Sequence, residues 1–275
     1  LSFDYQTKAH PSVIRELYSI PEIPLPEQEK IAAILTSVDD VIEKTEAQIA
    51  KLQDLKTGMM NELLTNGIGH TEFRDSELGR IPVDWEATQL SEICKVRQGL
   101  QIPISQRFSQ PRDDRLPYLT IAWINSGFDS NKAEFISNPK DSVVLKTDEF
   151  VVARTGGVGS IYHGLRAVFH NNFFAVNHTE QITKEYMMYF LLSEPTQKLM
   201  RDLAGTTTIP DLNHGDFYSI RIAVPPLPEQ KEIASILASF DDNIEEKQRK
   251  LKHTQSLKES LMQDLLTGKV RVQVD

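Results

Sequence analysis

Apolar residues recur at alternating steps of four and three along two separate stretches of the chain. Ile31, Leu35, Val38, Ile42, Ile49, Leu52, Met59 and Leu63 carry the pattern in the first stretch. Ile233, Leu237, Phe240, Ile244, Leu251, Leu261 and Leu265 carry it in the second. Such steps average 3.5 residues, the period of a coiled-coil seam. Held over about 40 residues, the period predicts two helices of roughly 60 Å each. Polar residues interrupt the seam at Thr45 and Lys247, and again at Lys56 and Lys258; such breaks cost stability but help fix register and pairing direction. Pro26 and Pro228 suit the first helical position, and Glu27 and Glu229 complement the positive helix end. Asn66-Gly67 and Gly268 supply the stops.

The two stretches are copies of each other. Pro24-Leu25-Pro26-Glu27-Gln28 returns as Pro226-Leu227-Pro228-Glu229-Gln230, and Leu63-Leu64-Thr65 as Leu265-Leu266-Thr267, at a constant offset of 202 residues (24 to 226, 65 to 267). About 21 of 45 aligned positions are identical. Copies this far apart do not stack as a solenoid; they flank a domain. A helix that outreaches a small domain is best covered by its twin. Because one compact domain joins them, the chain goes out along one helix and returns along the other, so the pair is expected to be antiparallel.

Between the helices the pattern changes to short alternating runs. Strands are expected at 88–96, 117–124, 143–154, 159–169 and 217–224, and helices at 184–193 and 195–204. The expected class is α+β: one mixed α/β domain plus two long helices forming an antiparallel coiled coil. The boundaries are a first long helix at 24–68, a linker at 69–82, the globular domain at 83–224, a second long helix at 225–270 and a tail at 271–275. Leu17-Tyr18-Ser19-Ile20 precedes the first helix much as Phe217-Tyr218-Ser219-Ile220 precedes the second. Residues 1–23 therefore read as the remnant of a first domain. A chain that starts at Leu1 reads as a fragment or a processed product.

Composition narrows the function classes. A hydrophobic share of 40% and a charged share of 25% are ordinary for a chain with a real core. No run approaches the 18 apolar residues of a membrane span, no signal peptide opens the chain, and Cys94 is a lone cysteine. These features fit a cytoplasmic protein without membrane contact. A net charge of −9 argues against a generic nucleic-acid binder, so any DNA contact must come from a local patch or be shared with a more basic partner.

No catalytic centre stands out. Arg154-Thr155-Gly156-Gly157-Val158-Gly159-Ser160 offers backbone N–H groups but lacks the lysine and spacing of a phosphate-binding loop; it reads as a hairpin, with a DNA-facing role open. Asn171-Asn172-Phe173-Phe174 only faintly resembles an amino-methyltransferase motif and lacks its prolines; it reads as an Asn-rich turn beside core aromatics. Pro210-Asp211 with Glu229 and Lys231 matches a nuclease pattern loosely, yet Glu229 has a twin, Glu27, at a helix start without the lysine. His163, His170 and His178 lack metal-ligand spacing. No cofactor or metal site is expected in this chain. What remains is a set of side chains suited to bases and phosphates: Lys95, Arg97, Gln98, Gln101, Arg107, Arg112, Arg154, Thr155, Arg166, Asn171, Asn172, Thr206, Thr207 and Asn213. Arginine reads guanine edges, asparagine and glutamine read adenine, and hydroxyls bind phosphates.

With these residues in view, the chain resembles the specificity subunit of type I restriction–modification enzymes. The doubled Leu-Pro-Glu-Gln helix starts, each followed by Ile-Ala and Ile-Leu, carry the resemblance most strongly. Ile81-Pro82-Val83-Asp84-Trp85, Asp148 to Gly156 and Ala204-Gly205-Thr206-Thr207 resemble the family's internal signatures. The resemblance implies a non-catalytic reader of double-stranded DNA. In it, target-recognition domains are joined by antiparallel helices that set their spacing and dock modification subunits. S-adenosylmethionine would sit on those modification subunits, and ATP with Mg on a restriction subunit. With one complete recognition domain, the chain resembles either the C-terminal portion of a longer subunit or a half-subunit that forms a homodimer. A protein-interaction scaffold without DNA specificity and a metal-dependent nuclease stand as the alternative readings.

Overall fold

The computed structural model describes residues 22–206 and 208–273. The expected domain remnant at 1–23 lies almost wholly outside them. The chain divides into two compact units, Leu1–Asp54 with Phe240–Asp275, and Leu55–Ser239. Two long helices run through the division: α1 (Leu25–Asn66, 42 residues) and α7 (Leu227–Leu266, 40 residues). Between them come β1 (Phe73–Ser76), β2 (Gly79–Pro82), β3 (Glu86–Gln89), α2 (Leu90–Ile93), β4 (Cys94–Gln98), β5 (Arg115–Leu119), α3 (Ile121–Asn125), β6 (Phe135–Ser137) and β7 (Val144–Leu145). There follow β8 (Phe150–Ala153), β9 (Ile161–His163), β10 (Ala167–Phe169), β11 (Phe173–His178), α4 (Lys184–Leu192), α5 (Glu194–Ala204), α6 (His214–Ser219) and β12 (Arg221–Val224).

The seam is visible in the burial of the helices. Between residues 32 and 58, the positions not exposed are Ile34, Leu35, Val38, Ile42, Thr45, Ile49, Leu52 and Lys56. Between 245 and 263 they are Lys247, Leu251, Thr254, Lys258 and Leu261. The polar interruptions thus stay in register with the stripe, and three of them have visible partners. Thr45 Oγ1 donates to Val41 O in its own helix at 2.7 Å, which satisfies a nearly buried hydroxyl. Lys258 Nζ meets Asp39 of the other helix at 2.5 Å, and Lys56 lies over the Tyr189 ring. In the first unit the direction follows from the partners. Glu27 near the start of α1 meets Arg271 and Val272 beyond the end of α7, while Asp39 meets Lys258 further back. The two helices are antiparallel.

In the second unit the last turns of α1 and the first turns of α7 join the domain core. Met60 and Leu63 share one cluster with Ile233, Leu237, Ile81 and Trp85. Each of these aliphatic side chains contributes about 1.5–3 kcal/mol on burial. The repeated Glu-Gln pair makes the junction specific. Glu229 Oε1 accepts the Ile68 backbone N–H at 2.9 Å and lies 2.8 Å from His70 Nε2; its Oε2 accepts the Trp85 indole N–H at 3.0 Å. Gln230 is fully buried; it accepts from Thr183 N and donates to Gln181 O and Pro225 O. Gly67, at φ +67°, has no room for a side chain: a Cβ there would stand 2.5 Å from Glu229 Oε1.

Two four-stranded sheets build the domain, ordered β6-β5-β10-β7 and β4-β11-β8-β9, with β5 and β10 parallel and the other pairs antiparallel. The two-residue period of a strand divides the side chains of β8 and β11 between two cores. Phe150, Val152, Phe174 and Val176 join the cluster beneath the helices. Val151, Ala153, Phe173 and Ala175 join Leu119, Leu145, Ala167 and Phe169 in the other. This is why β8 reads as an unbroken apolar run.

Several expected strands are broken by helical turns. Residues 88–96 form β3, α2 and the start of β4: Gln89 and Glu92 make a capping box, and Leu90 and Ile93 bury at helical spacing. Thr120 caps α3 within 117–124, and Asn213 caps α6, which takes the first part of 217–224. The runs 143–154 and 159–169 each divide into two strands at the turns near Thr147 and Gly164. The region read as a linker, 69–82, contains the β1–β2 hairpin, paired Phe73 to Pro82. Strand β11 falls where only an Asn-rich turn was expected, because Phe173 and Phe174 alternate between the two cores rather than flanking one.

Replacing Glu229 by Ala leaves the Trp85 indole N–H buried without an acceptor. A loss of about 2–3 kcal/mol is expected in urea unfolding, while a surface change such as Glu232→Ala stays within about 0.5 kcal/mol. At the other helix start, the hydrogen bonds from Arg271 and then Val272 N hold the Glu27 carboxyl below its ordinary pKa. A depressed folded pKa stabilises the contact above the unfolded value and loses that stability as pH falls through the folded one. Hydrogen exchange at the Val272 amide should therefore lose protection as acid carries the pH below the ordinary glutamate range, and Glu27→Gln should remove that pH dependence.

Candidate nucleic-acid interface

Strand order gathers part of the predicted set at one end of the sheet β4-β11-β8-β9. The C-terminal end of β4, the N-terminal end of β11, the C-terminal end of β8 and the N-terminal end of β9 meet there, because each neighbouring pair is antiparallel. Gln98, Asn171, Asn172, Arg154 and Thr155 sit on the chain segments that turn at this end. Loop 205–213 joins them, since Leu212 N donates to Arg154 O at 3.0 Å.

The centre of the cluster is Arg154. Its Nε and Nη2 donate to the two oxygens of Asp211, both at 2.7 Å, and its Nη1 donates to Gln98 Oε1 at 3.0 Å. Gln98 Nε2 donates in turn to Asn171 O at 2.5 Å. Asn172 N donates to His170 Nδ1 at 3.1 Å, so the ring carries its proton on Nε2. Burial, reinforced by Arg107, pushes His170 below the ordinary histidine range, and burial with Arg154 does the same at His214. Both imidazoles are neutral at pH 7. Asn213 serves as the helix cap of α6, its Oδ1 accepting Asp216 N at 2.9 Å.

The glycine-rich segment 154–160 is the turn joining β8 to β9. Gly159 N donates to Ala153 O and Ser160 N to Gly157 O, so these amides close the turn rather than face outward. The two carboxylates of the nuclease pattern have separate commitments: Asp211 holds Arg154, and Glu229 holds Trp85 and Ile68.

The arginines divide into two groups. Arg97 is taken up inside the domain: its guanidinium donates to Ser142 O, Val144 O and the Glu149 carboxylate, and lies over Phe169. Arg107 donates twice to Ile102 O and once to Glu134, and lies over Tyr118. Both groups fold loops onto sheets, and their charges are cancelled. Lys95, Gln101, Arg112, Arg166 and Thr206 are exposed. Lys95 lies at the opposite end of β4 from Gln98, paired with Asn177. Arg166 borders an open hollow with Arg97, Lys146 and Asn177. Thr207 lies outside the described residues. The partners Asp211, Glu134 and Glu149 were not part of the predicted set. An acidic residue far off in sequence gives no local signal that it will meet an arginine.

Strand order thus brings arginine, asparagine and glutamine side chains from separate chain segments to one sheet end. Comparison with known proteins gives the family: residues 82–253, more than half of the chain, match the type I restriction modification DNA specificity domain. The chain belongs to that family. It is 31% identical to the type I restriction enzyme MjaVIII specificity subunit of Methanocaldococcus jannaschii, over 95% of this chain and 65% of the relative. The EcoKI specificity subunit of Escherichia coli is 24% identical over 70% of this chain and 44% of the relative. The chain thus spans under two thirds of the length of the curated relatives it matches. Among solved structures, the HsdS subunit from Thermoanaerobacter tengcongensis aligns with a TM-score of 0.58 at 17% identity, covering 91% of this chain and 60% of that one. The S subunit from M. genitalium aligns with a TM-score of 0.58 at 17% identity, covering 88% and 61%. These likenesses show a shared fold.

The two groups of arginines make different predictions. Arg97→Ala removes the donor shared by two backbone carbonyls and Glu149, leaving the carboxylate with the Lys146 amide, and is expected to cost about 2–3 kcal/mol in denaturant unfolding. Arg166→Ala touches no such network and should leave the unfolding midpoint unchanged.

Proposed function

We propose that this chain is a non-catalytic DNA-reading component of a type I restriction–modification assembly. Its mixed α/β domain reads one half of a bipartite duplex site through the sheet end around Arg154, and its helices dock modification subunits. The observation that carries the reading is the convergence of Arg154, Gln98, Asn171 and Asn172 at one sheet end in a member of this family. Arginine, glutamine and asparagine are the side chains that match base edges in the major groove. Thr155, Thr206 and the exposed Gln101 and Arg112 supply phosphate contacts that position the domain.

A net charge of −9 is consistent with this division of labour. Nonspecific phosphate affinity scales with the cations that displace counterions, and this chain has few to spare. The modification subunits, which would bind S-adenosylmethionine, supply that affinity by closing around the duplex; a restriction subunit would bring ATP-driven cleavage. Reading both halves of a site takes two such domains. The second comes from the rest of a longer chain or from a second copy, and native mass spectrometry of the assembly separates the two. Assembly with DNA places the protein in the cytoplasm. No helix among the described residues is long and apolar enough to cross a membrane.

Selection from randomised duplexes in the presence of modification subunits should enrich one short motif for each intact domain. No enrichment would defeat the reading in favour of a protein-binding scaffold. Arg154→Ala should relax the motif at one base pair by about tenfold, since a bidentate arginine contact carries discrimination of that order. Binding to random duplex should weaken as well, by about three- to tenfold, because the variant leaves the Asp211 carboxylate uncompensated at the surface.

A further inference from the structure

We infer that Asp211 sets the selectivity with which Arg154 reads a base; this rests on the DNA-reading role proposed above and deepens it. A guanidinium carries five N–H donors. Asp211 takes two of them side-on, through Nε and Nη2 at 2.7 Å each, and Gln98 Oε1 takes one from Nη1 at 3.0 Å. One donor is left on each terminal nitrogen. That is the number a guanine edge accepts through O6 and N7.

The pair is held from both sides of the chain. Asp211 N donates to Ala204 O at 3.1 Å, and the next amide, Leu212 N, donates to Arg154 O at 3.0 Å. The loop that carries the carboxylate is therefore tied to the residue that carries the guanidinium. Arg154 cannot turn toward a phosphate without leaving two strong hydrogen bonds. A phosphate approaching the pair meets one positive and one negative group, with Asp211 about half exposed at 45%. The arrangement offers little to the backbone of any duplex and two oriented donors to one kind of base edge. Asp211 is thus a positioning residue: it contacts no base and acts through Arg154.

The test uses the full chain assembled with its modification subunits. Dissociation constants are measured for the selected duplex and for a random duplex at several salt concentrations. Asp211→Asn should tighten random-duplex binding about three- to tenfold, steepen its salt slope by roughly 1, and lower the selected-to-random ratio about tenfold. Asp211→Ala should do the same. In an Arg154→Ala background the Asp211→Asn change should leave the ratio unmoved, since its route is gone. An unchanged ratio in the single variants, a matched loss of both affinities, or a further fall of the ratio in the Arg154→Ala background would each overturn the inference. A wild-type chain with no preferred duplex would instead overturn the DNA-reading role itself, and the inference with it.

Discussion

A carboxylate at the start of each long helix is the contact on which the rest is arranged. Glu229 accepts from the backbone just past the end of α1 and from the buried indole of Trp85, while Gln230 binds three backbone groups around it. Groups that polar survive in an apolar junction only when each is paired, because an orphaned donor or acceptor costs about 1–3 kcal/mol. The junction therefore specifies more than burial does. Apolar contacts among Met60, Leu63, Ile233 and Leu237 would tolerate sliding or rotation, but the hydrogen bonds of Glu229 and Gln230 allow one placement. Gly67 is part of the same constraint, since any side chain there would displace the carboxylate.

Charge in the domain follows a comparable economy. Arg97, Arg107 and Arg154 each face a carboxylate: Glu149, Glu134 and Asp211. In the first two the guanidinium also donates to backbone carbonyls, which makes it a fastener between loop and sheet. Arg154 differs in that all its partners are side chains, Asp211 and Gln98. The proposed reading surface is close to neutral, and a neutral surface with directed donors favours selectivity over raw affinity. That is coherent with an acidic chain whose attraction to DNA is supplied by a partner.

The legibility of the chain varied with the range of the interactions involved. The helix pair is written in local periodicity and in a repeat, both of which sequence displays directly. Its polar interruptions were also readable, and the structure shows Thr45 and Lys258 satisfied within the seam. The domain was legible as alternating runs but not in its breaks. Capping residues such as Gln89 and Thr120 decide those breaks, and each lies within a run apolar enough to pass for a strand. The site was least legible. Arg97 and Arg154 look alike in sequence, each beside a strand and near polar residues. Their different fates depend on carboxylates 52 and 57 residues away, and only topology brings those into reach.

The two copies show which part of the helix-start contact duplication preserved. At both ends a glutamate accepts a backbone N–H from the chain that leaves the opposite helix: Ile68 N for Glu229, Val272 N for Glu27. The glutamine beside it donates to the carbonyl five residues earlier in both cases, Pro225 and Ile23. The side-chain donor is what differs, an indole from Trp85 in one copy and the Arg271 guanidinium in the other. A backbone N–H is supplied by almost any sequence, so the acceptor can stay fixed while the donor side chain drifts. An indole buries with the domain core, whereas a guanidinium keeps one face toward water. One inherited acceptor thereby serves two donors, a buried indole and a largely exposed guanidinium, from the same position in both helices.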